Sequence, residues 1–299
     1  MKKNLILLSI ITFGFAYNGS ITGVTYFDYT CENDASAFNF NRQYFNYAIE
    51  MSNDIKFKVV FDAGRTNELN VEDTRLIIFL KKAQLDYKTK WGNTQLGLIG
   101  TNSYGVQEKN WGYRFIEKSA IDKNGFSYAT DLGIGFSREI KDKLNFNIQL
   151  INGEGYKRPQ SDKYEKLSIN TTYGERNLSN NEGFNIGITF TSENTTSMLS
   201  MFGGFSFNGL RVGAESDFLT GNNIIQNLTS LTSVYSINNK INAFARYDVL
   251  ENDDDVFKYC ISGIVYNCGS GLLVSPNVRT TNDDDTDDFV YSINFQFTF

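Results

Sequence analysis

An arginine, a glutamate and a lysine stand close together at Arg114, Glu117 and Lys118, in the aromatic run Trp111-Gly112-Tyr113-Arg114-Phe115-Ile116-Glu117-Lys118. Charges of both signs at this spacing can set up a local field that sorts ions by sign, and that chemistry needs no bond to be made or broken. Further candidate cations are Arg42, Lys56, Lys58, Lys82, Arg211 and Arg246, each on the polar side of an alternating segment. Gathered around a narrow opening they would favour anions. The competing reading is that they hydrate an interior and pair with Glu50, Asp62, Asp86, Glu215 and Asp248, which the same alternation turns to the same side. Glu117 likewise has two readings: a field-setting carboxylate beside Arg114 and Lys118, or a structural ion pair tying its segment to a basic wall.

Covalent chemistry has little to work with. The sequence contains no histidine, so the commonest general base and the commonest metal ligand are missing. Gly133-Ile134-Gly135 lies inside an alternating segment and lacks the helix that phosphate cradling needs. Two acidic runs, 251–255 and 282–288, could collect Ca²⁺ through oxygen ligands alone. Neither has the spacing and central glycine of an EF-hand loop, which leaves solvated charge as the other reading. No cofactor and no metal set is implied. Cys31, Cys260 and Cys268 are odd in number and suggest no disulfide framework. A net charge of −6 argues against nucleic acid, which is bound by clustered lysine and arginine.

The elements that must position these charges are strands. At the end of the chain Phe289, Tyr291, Ile293, Phe295, Phe297 and Phe299 make one face, and Val290, Ser292, Asn294, Gln296 and Thr298 the other. Six large apolar side chains running to the terminal carboxylate would leave a sticky edge in water, whereas lipid suits them. Leu144, Phe146, Ile148 and Leu150 alternate with asparagines and Gln149; Phe184, Ile186, Ile188 and Phe190 alternate with small polar residues. Ile55, Phe57, Val59 and Phe61 oppose Lys56 and Lys58, and lysines behind a phenylalanine row need a wet interior. Strands are expected near 20–30, 38–51, 55–64, 76–89, 94–101, 127–138, 144–153, 164–175, 182–192, 198–207, 209–219, 225–236, 240–250, 256–266, 271–280 and 289–299. In 225–236 the apolar Leu228, Leu231 and Val234 break the period of two.

Composition agrees with this reading. The chain has 25 Phe, 17 Tyr, 25 Gly and only 2 Pro, a balance that suits ladders of hydrogen-bonded strands. Met1-Lys2-Lys3, an apolar stretch over 5–15 and Gly14-Phe15-Ala16 have the parts of a secretory signal peptide over 1–16, with the mature chain over 17–299. Beyond it no apolar run reaches the roughly 20 residues that a membrane-spanning helix needs. The expected fold is therefore all-β: a single transmembrane antiparallel β-barrel of about sixteen strands. Connections at 51–54, 90–93, 139–143, 208–209, 237–239 and 267–270 are short and turn-rich, and those between are expected to be mostly longer, more acidic and outward-facing.

The longest connection, 102–126, holds Arg114, Glu117 and Lys118 and falls between the fifth and sixth strands. Phe115-Ile116-Glu117-Lys118-Ser119 resembles the aromatic-apolar-Glu-basic-Ser/Ala motif of the phosphate-selective porin O and P family, with Lys118 where an arginine is usual. The similarity continues through Asp131-Leu132-Gly133-Ile134-Gly135-Phe136 and through 144–155, which ends in an Asn-Gly element. The resemblance implies a sixteen-stranded homotrimeric porin whose long connection folds inward as a constriction loop. It also implies outer-membrane lipid and lipopolysaccharide as surroundings. Anion selectivity in that family depends on an arginine ladder and a lysine cluster, of which this chain offers part.

The function expected is a water-filled channel for passive diffusion of small hydrophilic solutes and ions. A channel selective for an anion such as phosphate is an alternative within that class. A structural or adhesive barrel would need no open bore. Barrel enzymes of the lipolytic or omptin-like kind use Ser/His or Asp/His pairs, which a chain without histidine cannot assemble.

Overall fold

Alternation with a period of two gives each strand one apolar and one polar face, and a sheet built of such strands can close so that the polar faces line its inside. The computed structural model describes residues 18–33, 35–65, 76–141, 143–221, 224–252, 255–283 and 286–299. The leader expected over 1–16 and part of each acidic run lie outside these residues.

The strands are β1 (Asn18–Glu32), β2 (Ala35–Glu50), β3 (Ile55–Gly64), β4 (Ile77–Thr89), β5 (Gly92–Gly100), β6 (Thr130–Ile140), β7 (Leu144–Ile151) and β8 (Lys166–Gly174). They continue as β9 (Gly183–Glu193), β10 (Thr196–Phe207), β11 (Leu210–Gly221), β12 (Ile224–Asn238), β13 (Ile241–Asn252), β14 (Asp255–Gly269), β15 (Leu272–Asp283) and β16 (Thr286–Thr298). Two short helices, α1 (Gly105–Trp111) and α2 (Ala120–Lys123), interrupt the series between β5 and β6. Every strand pairs with its sequence neighbours, and β16 closes on β1, so the sheet is a barrel of sixteen strands.

The closure uses the alternating C-terminal segment. Phe295 stands opposite Phe27 and Ile293 opposite Tyr29 on the outside, while Asn294 and Ser292 meet Asp28 and Thr30 on the inside. The rings of Phe27 and Phe295 stack with centroids 4.7 Å apart. Gly23 and Phe299 exchange both backbone hydrogen bonds, which carries the ladder to the last residue.

Burial is inverted relative to a water-soluble domain. Ile78 is 71% and Ile186 62% exposed, whereas Asp62, Thr172, Thr189 and Asp217 are fully buried. The apolar belt faces outward, as lipid requires, and the polar faces enclose the interior. Among the described residues no helix is long and apolar enough to cross a membrane.

Two expectations about the elements change. The segment 225–236 pairs along its whole length with both neighbours as part of β12. Its apolar residues break the alternation because both faces of this strand meet apolar surroundings: Leu231 points outward, while Leu228 and Val234 are buried inside against the 101–129 connection. The connections also differ from the expected pattern. On the rim opposite the short turns, only 65–76, 101–129 and 152–165 are long, and β9–β10, β11–β12, β13–β14 and β15–β16 are separated by two residues each. The acidic runs lie where long strands meet, and the short-turn rim carries one longer link, 175–182.

The packed core sits inside the bore. Trp111, Tyr113, Phe115 and Ile116 pack against Val234, Phe244, Ile261 and Val265, and Ala120, Ile121 and Phe126 pack against Met198 and Leu228. These wall residues point inward, so burying them calls for an apolar segment entering the barrel, and the 101–129 connection supplies it.

Candidate functional site

The connection leaves β5 at Gly100, crosses the interior and docks on the far wall. Its near end is pinned to β7 and β8, where the Asn102 amide donates to Gln149 Oε1 at 2.9 Å and its side chain reaches the Ser168 carbonyl at 3.3 Å. Helix α1 lies against β10 and β11, and Asn110 exchanges two side-chain hydrogen bonds with Asn185 at 2.9 and 3.0 Å. The helix ends at Gly112, whose φ of 79° is the left-handed region that favours glycine. A Cβ at Gly112 would also lie 2.6 Å from the Arg211 guanidinium.

Three wall arginines grip backbone oxygens of the loop. Arg211 donates to the Trp111 carbonyl at 2.9 Å, Arg279 to Ile116 at 2.8 Å, and Arg246 to Lys118. Arg246 also holds Asp248 through Nε and NH2, and its side chain has no exposed surface. Arg211 and Arg246, expected on the open bore, thus face it through the loop they anchor. This is the pairing alternative for Arg246, and for Arg211 a role that strand parity alone does not suggest.

The three loop residues occupy different places. Arg114 NH1 joins Glu108 on α1 to Asp122 on α2, each at 2.8 Å. Burial alone would favour its neutral form, but Glu108 leads a set of neighbours that raises its pKa above the ordinary value. Glu117 accepts the Tyr259 hydroxyl at 3.0 Å and lies 3.7 Å from Lys123 Nζ. Burial pushes its carboxyl up, but Lys123, Arg279 and Arg246 more than offset this and leave it below the usual range. Glu117 therefore stays ionised, tied to wall and loop together. Lys118 borders the open space.

That space consists of two adjoining cavities of about 520 and 220 Å³. Arg42, Arg114 and Lys118 line both, so they stand where the two meet. Among the described residues, the walls bring together nine basic side chains, those three with Arg65, Lys81, Lys123, Lys157, Arg158 and Arg279, against the four acids Asp28, Glu117, Asp122 and Glu154. The chain as a whole has a net charge of −6, so the described lining of these cavities has the opposite sign balance to the chain.

Arg42 is held by Asp62 on β3, and Lys81 lies 3.6 Å from the same carboxylate and 3.0 Å from the Tyr44 hydroxyl. Tyr156, from the 152–165 connection, donates to Asp62 at 2.8 Å. A second long connection therefore reaches into the bore. Its root is fixed by Asp131, which accepts the Gly153 and Gly155 amides at 2.7 and 3.3 Å.

The remaining expected cations run along the inner faces of β3 and β4 and line neither cavity. Lys58 is in register with Ala48 and Gln84, and Lys82 with Val60. Lys56 pairs with Glu50 at 2.5 Å close to the 51–54 turn, both largely exposed. Parity reasoning missed Lys81 because a bulge at Val60/Phe61 turns both Lys81 and Lys82 inward. Arg279 was legible, since it follows Ser275 and Asn277 at alternate positions of β15. Lys157 and Arg158 lie on a loop with no period to read.

The sequence matches no protein-family model and no curated protein. Solved structures share the fold at low identity. OmpF of Salmonella typhi, solved with daunomycin, is 11% identical over 94% of this chain and 97% of its own, with a TM-score of 0.71. An anion-selective porin from Comamonas acidovorans is 10% identical over 95% of this chain and 100% of its own, with a TM-score of 0.67. OmpT of Vibrio cholerae, an outer-membrane protein in trimer form, is 12% identical over the same shares, also at 0.67. The chain thus has the closed sixteen-stranded fold of outer-membrane porins.

Proposed function

We propose that the chain is a diffusion channel of the bacterial outer membrane, passing small hydrophilic solutes and preferring anions. The observation that carries this reading is the excess of basic over acidic side chains around the two inner cavities of a protein that is acidic overall. Low-dielectric walls focus such a charge excess, raising the local concentration of anions and lowering that of cations. Arg42, Arg114 and Lys118, which border both cavities, are assigned as the constriction. Glu117 is assigned as the counter-charge that locks the loop.

The outward apolar belt supports lipid and lipopolysaccharide as surroundings. Assembly as a homotrimer is supported by the shared fold, since the Vibrio cholerae protein was solved in trimer form. Phosphate is one anion such a bore would accept.

Single-channel recording in a planar bilayer with asymmetric KCl tests the proposal. Steady openings with a reversal potential on the chloride side are expected. Openings that prefer potassium would overturn the anion preference, and a silent protein would favour a structural barrel.

A further inference from the structure

A third cavity, of about 360 Å³, lies inside the barrel between α2 and the inner faces of β13, β14 and β15. Its wall differs from the rest of the interior. Leu250 and Phe257 are directly paired across β13 and β14, half-buried, and open to it. Elsewhere the inward apolar residues of this wall, such as Leu228, Phe244 and Ile261, are buried under the loop. Here an apolar patch is left facing a space within the range of small-molecule clefts, roughly 300 to 1,000 Å³.

Two lysines border this patch, Lys123 from α2 and Lys258 from β14. Lys123 lines both this cavity and the smaller of the two bore cavities, with its ammonium over the Tyr259 ring. Asp248 also lines the space, but both its oxygens are taken by Arg246, so the pair presents no net negative charge. Glu117 balances Lys123 at 3.7 Å. Arg279, close behind, donates to the neutral oxygens of Ile116 and Asn294. The local balance therefore favours an incoming anion.

We propose that this cavity is a side site of the bore for organic anions with an apolar body, with Lys123 meeting the carboxylate and Leu250 and Phe257 the body. The proposal rests on the channel reading above and names a solute class for it. An ion such as chloride or acetate gains only the Coulomb attraction, and a neutral aromatic only the apolar contact. An aromatic monocarboxylate gains both.

The full-length protein in a planar bilayer carrying KCl current, exposed to sodium benzoate, sodium acetate or benzyl alcohol, tests this. Benzoate is expected to reduce the current saturably, with a half-blocking concentration at least about tenfold below those of the other two. Lys123→Gln and Leu250→Ser should each raise the benzoate value severalfold. Steady KCl current with equal effects of benzoate and acetate would overturn the side site and leave the channel reading standing. Absence of current in the wild type would remove both. Because the three probes are compared on the unaltered protein, the result does not depend on how a variant folds.

Discussion

Tyr156, on the connection between β7 and β8, donates a 2.8 Å hydrogen bond to Asp62 on β3, a residue 94 positions earlier. The same hydroxyl receives Arg42 NH1 at 3.1 Å. The constriction is therefore shared: the 101–129 connection supplies Arg114 and Lys118, the barrel wall Arg42, and the 152–165 connection the phenol that fixes Arg42 in place. The 152–165 connection is further held where Phe79 meets the Tyr156 ring edge-on at 6.3 Å.

Removing that hydroxyl should widen the passage. A hydrogen bond to a charged partner contributes about 1.5–3 kcal/mol, and in Tyr156→Phe the ring would keep its contact with Phe79. We expect larger single-channel conductance with more current noise, and little change in the thermal unfolding of the barrel. Conductance equal to the wild type would show that the 152–165 connection does not limit flow.

Asp62→Asn should strengthen the anion preference. Asp62 is the shared counter-charge of Arg42 and Lys81, and its own side chain is fully buried. Neutralising it frees a positive charge beside the constriction. With screening by salt the effect is on the order of 1 kcal/mol, or roughly fivefold in the anion/cation permeability ratio. A ratio that stays put or falls, read from reversal potentials, would contradict the assignment.

Most of the barrel could be read from alternation. The terminal strand shows why: Phe295 and Asn294 have environments so different that only one register satisfies both. The Arg114 to Lys118 segment stands out in the sequence as charges in an aromatic run on a long connection, and the packing of Trp111 to Ile116 on the wall places it inside the barrel. What parity could not give were features that break the period. Lys81 turns inward through a bulge, and β12 is apolar on both faces because a loop covers its inner one. Nor could sequence show that Arg211 and Arg246 hold loop carbonyls, since their partners, Trp111 and Lys118, lie about a hundred positions away or more.

Arg246→Met should loosen the constriction loop. The substitution preserves a long apolar stem but strands Asp248 without its bidentate partner and leaves the Lys118 carbonyl without Arg246. Breaking a buried pair by removing one member costs about 3–5 kcal/mol. The barrel ladder does not depend on this contact, so protease cleavage within 101–129 should appear while the barrel stays folded. The double variant Arg246→Met with Asp248→Leu should recover much of the loss. Equal cleavage of the single and double variants would argue against the ion pair as the anchor.

Selectivity should also depend on pH through Lys123. Burial is the main influence on its ammonium and brings its pKa down to about 8, although Glu117 pulls the other way. Glu117 titrates below the usual carboxylate range and remains charged throughout. Below about pH 8 the two cancel; above it Lys123 is neutral and Glu117 is left as a net negative charge beside the bore. The anion/cation ratio should therefore fall as pH rises from 7 to about 9. The stability sign is opposite. The unfolded lysine, with a pKa of about 10.4, holds its proton to higher pH, so the folded state gains as pH rises between about 8 and 10.4. In Lys123→Gln the step in reversal potential should vanish. A step in the wild type centred near 10, or one that persists in the variant, would rule out Lys123 as its source.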